Sequence, residues 1–184
     1  MQVDATTDLD RPGGLSEATI VATAMEILAE RGVTGLTMRA LSSRLGVALG
    51  ATYNHVRSKH DLLRLVAEEL YARIEPGPPD ADGFSRARSV MVDVHRLLGA
   101  YPGMAAYMGE HLTEFSSPNV AKLVLTPLCE AGLSTADAKR VTLALVLLTA
   151  GDLLLHIGDD VDEADGTFTE TLDLLLDGAR SRAG

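Results

Sequence analysis

The chain has 184 residues, of which 46% are hydrophobic and 23% are charged, and its formal net charge is −10 at pH 7. This length suits one compact domain or two small ones, and a single cysteine, Cys129, excludes an internal disulfide. The first ten residues lack the pattern of a targeting peptide, and the most apolar run, residues 143–157, is too short to cross a bilayer. We therefore expect a cytoplasmic protein with no membrane segment.

Apolar residues recur at helical spacing along the chain, and patterns typical of strands are almost absent. The sequence therefore predicts an all-α protein of about nine helices. Their approximate bounds, some of which include the N-cap, are residues 16–31, 37–45, 49–55, 58–75, 81–100, 104–115, 118–131, 135–157 and 167–179. The segment 159–166 is predicted to be an acidic loop, and Pro127 is expected to kink the seventh helix.

Most of these helices begin after a Ser or Thr that can cap the first backbone N–H groups. The predicted N-cap residues are Ser16, Thr37, Ser58, Ser117, Ser134 and Thr167.

Residues 37–59 have the pattern of a helix-turn-helix. Thr37 can cap a short helix, and Gly46 can adopt the positive φ that ends it. A second short helix then fits residues 49–55. In such a unit the second helix enters the DNA major groove while the first crosses the backbone.

Local charge supports a phosphate partner for this unit. Between Arg31 and Arg64 there are six Lys or Arg side chains and one acidic residue, Asp61, although the whole chain is acidic. The alternative is a three-helix bundle whose basic face is only solvated.

Several spaced elements of this region are similar to the DNA-binding domain of the tetracycline-repressor (TetR) family. The matching residues are Ala24, Glu30, Gly32, Thr37, Met38, Arg39, Leu41, Leu45, Gly46, Val47, Tyr53, His55, Val56, Lys59, Leu62 and Leu63. The resemblance covers residues 16–63. It implies a ligand-responsive transcriptional regulator, most often a repressor, that binds a roughly palindromic operator as a homodimer and is released by a small molecule.

The resemblance also assigns roles at the operator. Arg39 would reach a guanine edge, and Tyr53 and Lys59 would contact phosphates. The implied DNA-binding residues are Met38, Arg39, Leu49, Gly50, Ala51, Tyr53, Asn54, His55 and Lys59. Tyr53 could instead be a packing residue, and His55 a backbone contact or a helix cap.

The second helix of this unit departs from the family pattern. Ala48 stands where the family often has a Ser or Asn cap, and Gly50 lies inside the helix. Each change costs about 1 kcal/mol of helix stability. Few hydrogen-bonding groups are available there, so we expect DNA shape to carry much of the specificity.

Charge and composition divide the chain at Pro76-Gly77-Pro78-Pro79. Residues 1–14 are predicted to be a disordered arm, and residues 15–75 a DNA-binding domain that includes the linking helix. Residues 80–184 form the predicted ligand-binding and dimerisation domain. Residues 76–184 hold eight basic and sixteen acidic side chains, which makes them a poor surface for nucleic acid.

The eighth predicted helix is apolar nearly all round, and the ninth adds apolar residues at helical spacing. The pair resembles the hairpin through which the TetR family forms its homodimer. The alternative is that the eighth helix is the core of a monomer.

The resemblance implies a ligand cavity among the fifth to seventh helices. Its candidate residues are Met91, His95, Tyr101, Met104, Tyr107, Met108 and His111, together with Asp152 and His156 from the eighth helix. Each polar candidate could instead be an ordinary satisfied side chain, and Asp152 and His156 could pair with each other. Few aromatic residues are present, so we expect a modest, flexible or apolar ligand.

No cofactor or metal is expected. His95, His111, Glu114 and Cys129 lack the spacing of metal ligands. A helical enzyme that uses His and Asp in the same cavity is an alternative function, although no nucleophile, metal or phosphate motif supports it. Another alternative is an architectural DNA-binding protein with no ligand.

Overall fold

A computed structural model describes residues 15–115, 117–155 and 161–183. Within those ranges the chain forms ten helices and no strand, which confirms the predicted all-α class. The helices are α1 (Glu17–Gly35), α2 (Met38–Leu45), α3 (Leu49–His55), α4 (Lys59–Ala72), α5 (Gly83–Gly99), α6 (Met104–Glu110), α7 (Leu112–Phe115), α8 (Pro118–Glu130), α9 (Thr135–Leu155) and α10 (Val161–Arg180).

Five of the predicted Ser and Thr caps bond the backbone as expected. The cap hydroxyls of Ser16, Thr37, Ser58, Ser117 and Ser134 accept from the N–H three residues later at 3.0–3.3 Å. One cap was missed: Asp82 accepts from the backbone N–H groups of Phe84 and Ser85 and so starts α5.

Two predicted elements are wrong. The predicted helix 104–115 is two helices, because the chain leaves helical geometry at His111 (φ −120°, ψ 37°). The predicted loop up to residue 166 is helical from Val161, so Thr167 lies inside α10 and is not its N-cap. Acidic residues are favourable in the first turns of a helix, which explains why this acidic segment supports α10. The predicted arm 1–14, residues 156–160 and Gly184 lie outside the described residues.

Gly32 breaks α1 and brings it against the second half of the chain. Its φ of 63° leaves the helical region, and a Cβ there would lie 2.7 Å from the carbonyl oxygen of Pro102. The next residue, Val33, donates its N–H to that same carbonyl at 2.9 Å. This bond joins the helix-turn-helix region to the turn between α5 and α6.

Two hydrophobic cores hold the helices together. The first is built from α1, α2 and α4, and it also contains Met104, Met108 and Phe115 from α6 and α7. The second lies among α5, α8, α9 and α10, around the fully buried Val90, Leu128 and Leu172. Three buried side chains from beyond residue 80 therefore belong to the first core. The boundary between two domains at residues 76–79 stays a prediction.

The surface of α9 and α10 is unusually apolar for a single chain. Leu143, Leu147, Leu155 and Leu174 are 56%, 61%, 82% and 75% exposed. These helices therefore present apolar side chains outward as well as into the second core. No helix in the described ranges is both long enough and apolar enough to cross a membrane.

Candidate DNA-binding surface and ligand cavity

A tight turn and a buried hydroxyl pair fix α2 against α3. Gly46 has a φ of 69° and donates its N–H to the last turn of α2. Ser42 donates its hydroxyl to Met38 O at 2.8 Å and lies 2.7 Å from the hydroxyl of Thr52. Because the Ser42 proton is used, Thr52 is the donor in that pair. The sequence interpretation missed this pair, although two small hydroxyl residues at facing helical positions were visible.

Most predicted DNA-binding residues lie on one exposed surface of α2 and α3. Leu49 and Tyr53 are 37% and 46% exposed. Arg39, Gly50 and Asn54 are exposed, and Ala51 and His55 are half-buried. Tyr53 is therefore on the surface and not in the core. As predicted, Ala48 makes no side-chain cap bond for α3.

Met38 and Lys59 are placed differently from the other predicted contacts. Met38 is 8% exposed and packs in the first core, so its side chain does not face the solvent. The Lys59 ammonium donates to Val33 O at 2.5 Å. Partial burial of this ammonium lowers the pKa of Lys59. Lys59 is held by the protein itself near the start of α4.

Fewer basic side chains are available on this surface than the sequence contains, because one of them is paired with an acidic residue of α1. Arg44 donates to both carboxylate oxygens of Glu30, at 2.7 Å and 2.5 Å. This paired hydrogen bond lowers the pKa of Glu30. Arg44 therefore fixes α2 to α1, and Arg39, Arg57 and Lys59 are the better candidates for phosphate or base contacts.

A cavity of about 190 Å³ lies among α5, α6, α8 and α9, and the C-terminal half of α4 closes one side of it. Its walls include Tyr71 from α4, Met91, Val94 and Leu98 from α5, Ala105 and Met108 from α6, Phe115 from α7, Ser117, Val120 and Val124 at α8, and Thr142, Val146 and Thr149 from α9. Of the predicted ligand-binding residues, Met91 and Met108 line this cavity.

The remaining predicted ligand-binding residues that are described lie elsewhere. Met104 is fully buried in the first core, and Tyr101 packs against that core. His95 Nε2 lies 2.8 Å from Asp152 Oδ2, and both side chains are less than a tenth exposed. The His95 ring stacks on Phe168 at 3.9 Å. His156 lies outside the described residues.

Tyr107 and His111 belong to an aromatic cluster between α4 and α6–α7. We call His60, Tyr107, His111, Glu114 and Phe115 the His60 cluster. His60 Nδ1 lies 2.9 Å from the Tyr107 hydroxyl, and His60 Nε2 lies 2.7 Å from Glu114 Oε2. The His60 ring makes edge contacts with His111 and Phe115 at 5.0 Å and 5.4 Å. The cluster therefore connects the first turn of α4 to the second half of the chain.

Sequence reasoning missed several cavity residues, above all Tyr71, Phe115 and the α9 stripe of Thr142, Val146 and Thr149. The stripe has helical spacing and could have been found as a second face of α9. Burial of the Tyr71 hydroxyl raises the pKa of this side chain to about 12. In the described part of the chain no three His, Cys, Asp or Glu side chains are arranged to hold a metal ion.

Comparison with known proteins places the chain in a family. A model of bacterial regulatory proteins of the TetR family matches residues 20–66. The class A tetracycline repressor from transposon 1721 of Escherichia coli is 34% identical over 166 residues, which cover 85% of this chain and 74% of that protein. The chain belongs to the TetR family. It is a transcriptional regulator with the helix-turn-helix of that family.

Other TetR proteins agree with this assignment. The class C tetracycline repressor of Escherichia coli is 32% identical over 80% of this chain and 69% of that protein. The structure of TetR from Acinetobacter baumannii AYE superposes with a TM-score of 0.77 at 25% identity, covering 93% of this chain and 100% of that one. TetR of class A, solved with 5a,6-anhydrotetracycline and magnesium, has a TM-score of 0.71 at 29% identity, covering 91% of this chain and 99% of that one.

Proposed function

We propose that this regulator represses transcription by binding a roughly palindromic operator as a homodimer, and that a small molecule in the cavity releases it. The observation that carries the proposal is that α4 supplies part of the cavity wall. Tyr71 of α4 lines the cavity, and its hydroxyl donates to Phe115 O at 2.9 Å. An occupied cavity would thus act directly on the helix that follows the helix-turn-helix. The proposed role requires binding and no catalysis.

The proposed DNA surface is the exposed side of α2 and α3. Arg39 is exposed and has no hydrogen bond or ion pair to another described residue, so it is available for a base edge. Leu49 and Ala51 offer apolar contact to thymine methyl groups. The ion-paired Arg44 is excluded from this set because its charge is matched by Glu30.

The proposed dimer forms through the exposed apolar faces of α9 and α10. Leu143 and Leu147 lie one turn apart on α9, and Leu174 lies on α10. Burying apolar surface contributes about 25 cal/mol per Å². A two-fold axis would pair the same patch on both chains. The two helix-turn-helix units of the dimer would then face half-sites about 34–36 Å apart or a multiple of that distance.

The His60 cluster would transmit the ligand signal. Phe115 lines the cavity, and its ring contacts His60 in the first turn of α4. A ligand that displaces Phe115 or Tyr71 would shift α4 and change the distance between the two helix-turn-helix units of the dimer. Such coupling requires that the ligand bind the DNA-bound and the released conformations with different affinities. The coupling free energy is typically about 1–3 kcal/mol.

Selection from a random DNA pool followed by fluorescence anisotropy tests the proposal. We expect a palindromic consensus, two chains per site, and a binding constant that falls steeply with salt. A compound that raises the unfolding temperature of the protein should also lower its DNA affinity. Sequence-independent binding with no response to any stabilising compound would contradict the proposal and favour an architectural role.

A further inference from the structure

The lining of the cavity contains no charged side chain among the described residues. It is formed chiefly by aliphatic, methionine and aromatic groups, such as Met91, Val124 and Phe115. An ionised ligand would therefore lose its hydration without gaining a partner of opposite charge, which is costly in an apolar environment.

The hydroxyl groups in the lining are largely occupied by the protein itself. Thr142 and Thr149 donate to the backbone carbonyls of Ala138 and Leu145, four residues earlier, at 2.8 Å and 2.9 Å. Tyr71 donates to Phe115 O at 2.9 Å. Ser117 Oγ accepts from Val120 N at 3.3 Å and is the one lining hydroxyl in the described residues whose proton has no assigned acceptor. A ligand gains few hydrogen bonds there.

The cavity volume sets the size of the occupant. Drug-sized ligands occupy pockets of about 300–1,000 Å³, and this cavity has about 190 Å³. An apolar cavity of about 150 Å³ is large enough to bind benzene. The methionines at positions 91 and 108 can change rotamer and adapt the wall to the shape of the occupant.

We infer that the effector of this regulator is a neutral, predominantly hydrocarbon molecule about the size of a substituted benzene ring. The inference rests on the proposed function, since it assigns the proposed effector to this cavity. The lining lacks the carboxylate and imidazole groups that hold metal ions. 5a,6-Anhydrotetracycline with magnesium, with which class A TetR was solved, is larger and carries the charge of the metal ion, so this complex serves as a negative probe.

A pair of nearly isosteric probes separates charge from shape. 4-Isopropylnitrobenzene and 4-isopropylbenzoate differ mainly in the replacement of a neutral nitro group by a carboxylate. We expect the nitro compound to raise the unfolding temperature and the carboxylate to bind at least about tenfold more weakly, because its charge has no partner in the lining. Calorimetric titration of the full chain at pH 7 measures both dissociation constants.

Two neighbouring alanines of α6 provide matched variants. Ala105 lines the cavity and Ala106 does not, although both are half-buried on the same helix. Ala105→Leu should fill part of the cavity, so that the nitro compound no longer raises the unfolding temperature. With Ala106→Leu the compound should still raise it, which separates loss of the cavity from general damage to α6.

The outcomes distinguish the ligand class from the proposed function. The inference is overturned if the carboxylate or the magnesium complex binds as tightly as the nitro compound, or if the nitro compound causes no shift at saturation. It is also overturned if Ala105→Leu retains the full shift. Binding of the nitro compound with no change in DNA affinity would support the ligand class and count against the proposed release mechanism.

Discussion

Arg39 and Lys59 are both candidates for DNA contacts, but the protein holds them differently. Arg39 extends from α2 without a partner among the described residues. The Lys59 ammonium donates to Val33 O. The backbone N–H of the same residue, Val33, donates to Pro102 O. We therefore expect Arg39 to read a base and Lys59 to act as a positioned charge near the backbone.

Arg39→Ala should lower the discrimination between the selected operator and a single-base variant by about 1–3 kcal/mol. Lys59→Met should weaken binding to all sequences alike, and it should reduce the slope of log K against log salt concentration by about 1. Anisotropy titrations at several salt concentrations measure both effects. An unchanged preference among operator variants in Arg39→Ala would exclude its role in base recognition.

Asp82 gives a pH-dependent prediction at the start of α5. A hydrogen bond from the Ser85 hydroxyl is the largest effect that lowers its pKa, and backbone N–H groups of Ser85 and Phe84 add to it. A carboxyl whose pKa is lower in the folded state stabilises the fold above its unfolded pKa, and this stability is lost as the pH falls through the folded value. Asp82→Ala should therefore cost about 1 kcal/mol near neutral pH.

Urea unfolding of both proteins from pH 7 down to pH 3 measures this effect. The difference between wild type and Asp82→Ala should shrink below about pH 4, where the unfolded carboxyl takes up its proton. A difference that stays constant to pH 3 would show that the charge of Asp82 does not contribute.

Among the elements, α3 gains little stability from its own sequence. Ala48 adopts the extended geometry of an N-cap (φ −64°, ψ 144°) but provides no acceptor. Gly50 lies inside the helix, and apart from the adjacent residues and the helix backbone a Cβ there would meet no atom within 4 Å. The Ser42–Thr52 pair and the turn at Gly46 hold α3 in place instead.

Ala48→Ser should stabilise the protein by about 1 kcal/mol through a new cap bond, and Gly50→Ala by about 0.5–1 kcal/mol. Thermal and urea unfolding report both gains. Ala48→Val is the matched control, since it adds a side chain without an acceptor and should give no gain. Equal stabilisation by Ser and Val would show that capping is not the cause.

The first turn of α4 contacts the cavity wall through the rings of His60 and Phe115. His60→Leu removes the hydrogen bonds to Tyr107 and Glu114. We expect this change to reduce the loss of DNA affinity caused by 4-isopropylnitrobenzene while the compound still binds. Arg64→Ala, one turn later on the exposed side of α4, is the control and should respond as wild type does.

For the whole molecule, the proposed dimer depends on the exposed leucines of α9 and α10. Leu147→Glu places a charge on the exposed apolar face of α9, where the proposed dimer would bury it without a partner. It should produce a monomer in light scattering and lower operator affinity by more than about tenfold. Lys122→Glu, on the exposed surface of α8, should leave the dimer intact.

The amino-acid sequence by itself determined the local structure of the helix-turn-helix. Caps such as Thr37 and Ser58 and the stop at Gly46 act over three or four residues, so each was identifiable without the rest of the fold. The bounds of α3 were predicted correctly for the same reason.

Only the tertiary structure decided which side chains form the cavity and which lie elsewhere. His95 and Asp152, 57 positions apart, pair with each other in the interior, and Lys59 bonds Val33 across a separation of 26. Tyr71 and Phe115, 44 positions apart, meet at the cavity wall. A pattern of residue types specifies the inward face of each helix, but the helix packing determines which distant faces meet, and that packing depends on contacts made by the whole chain.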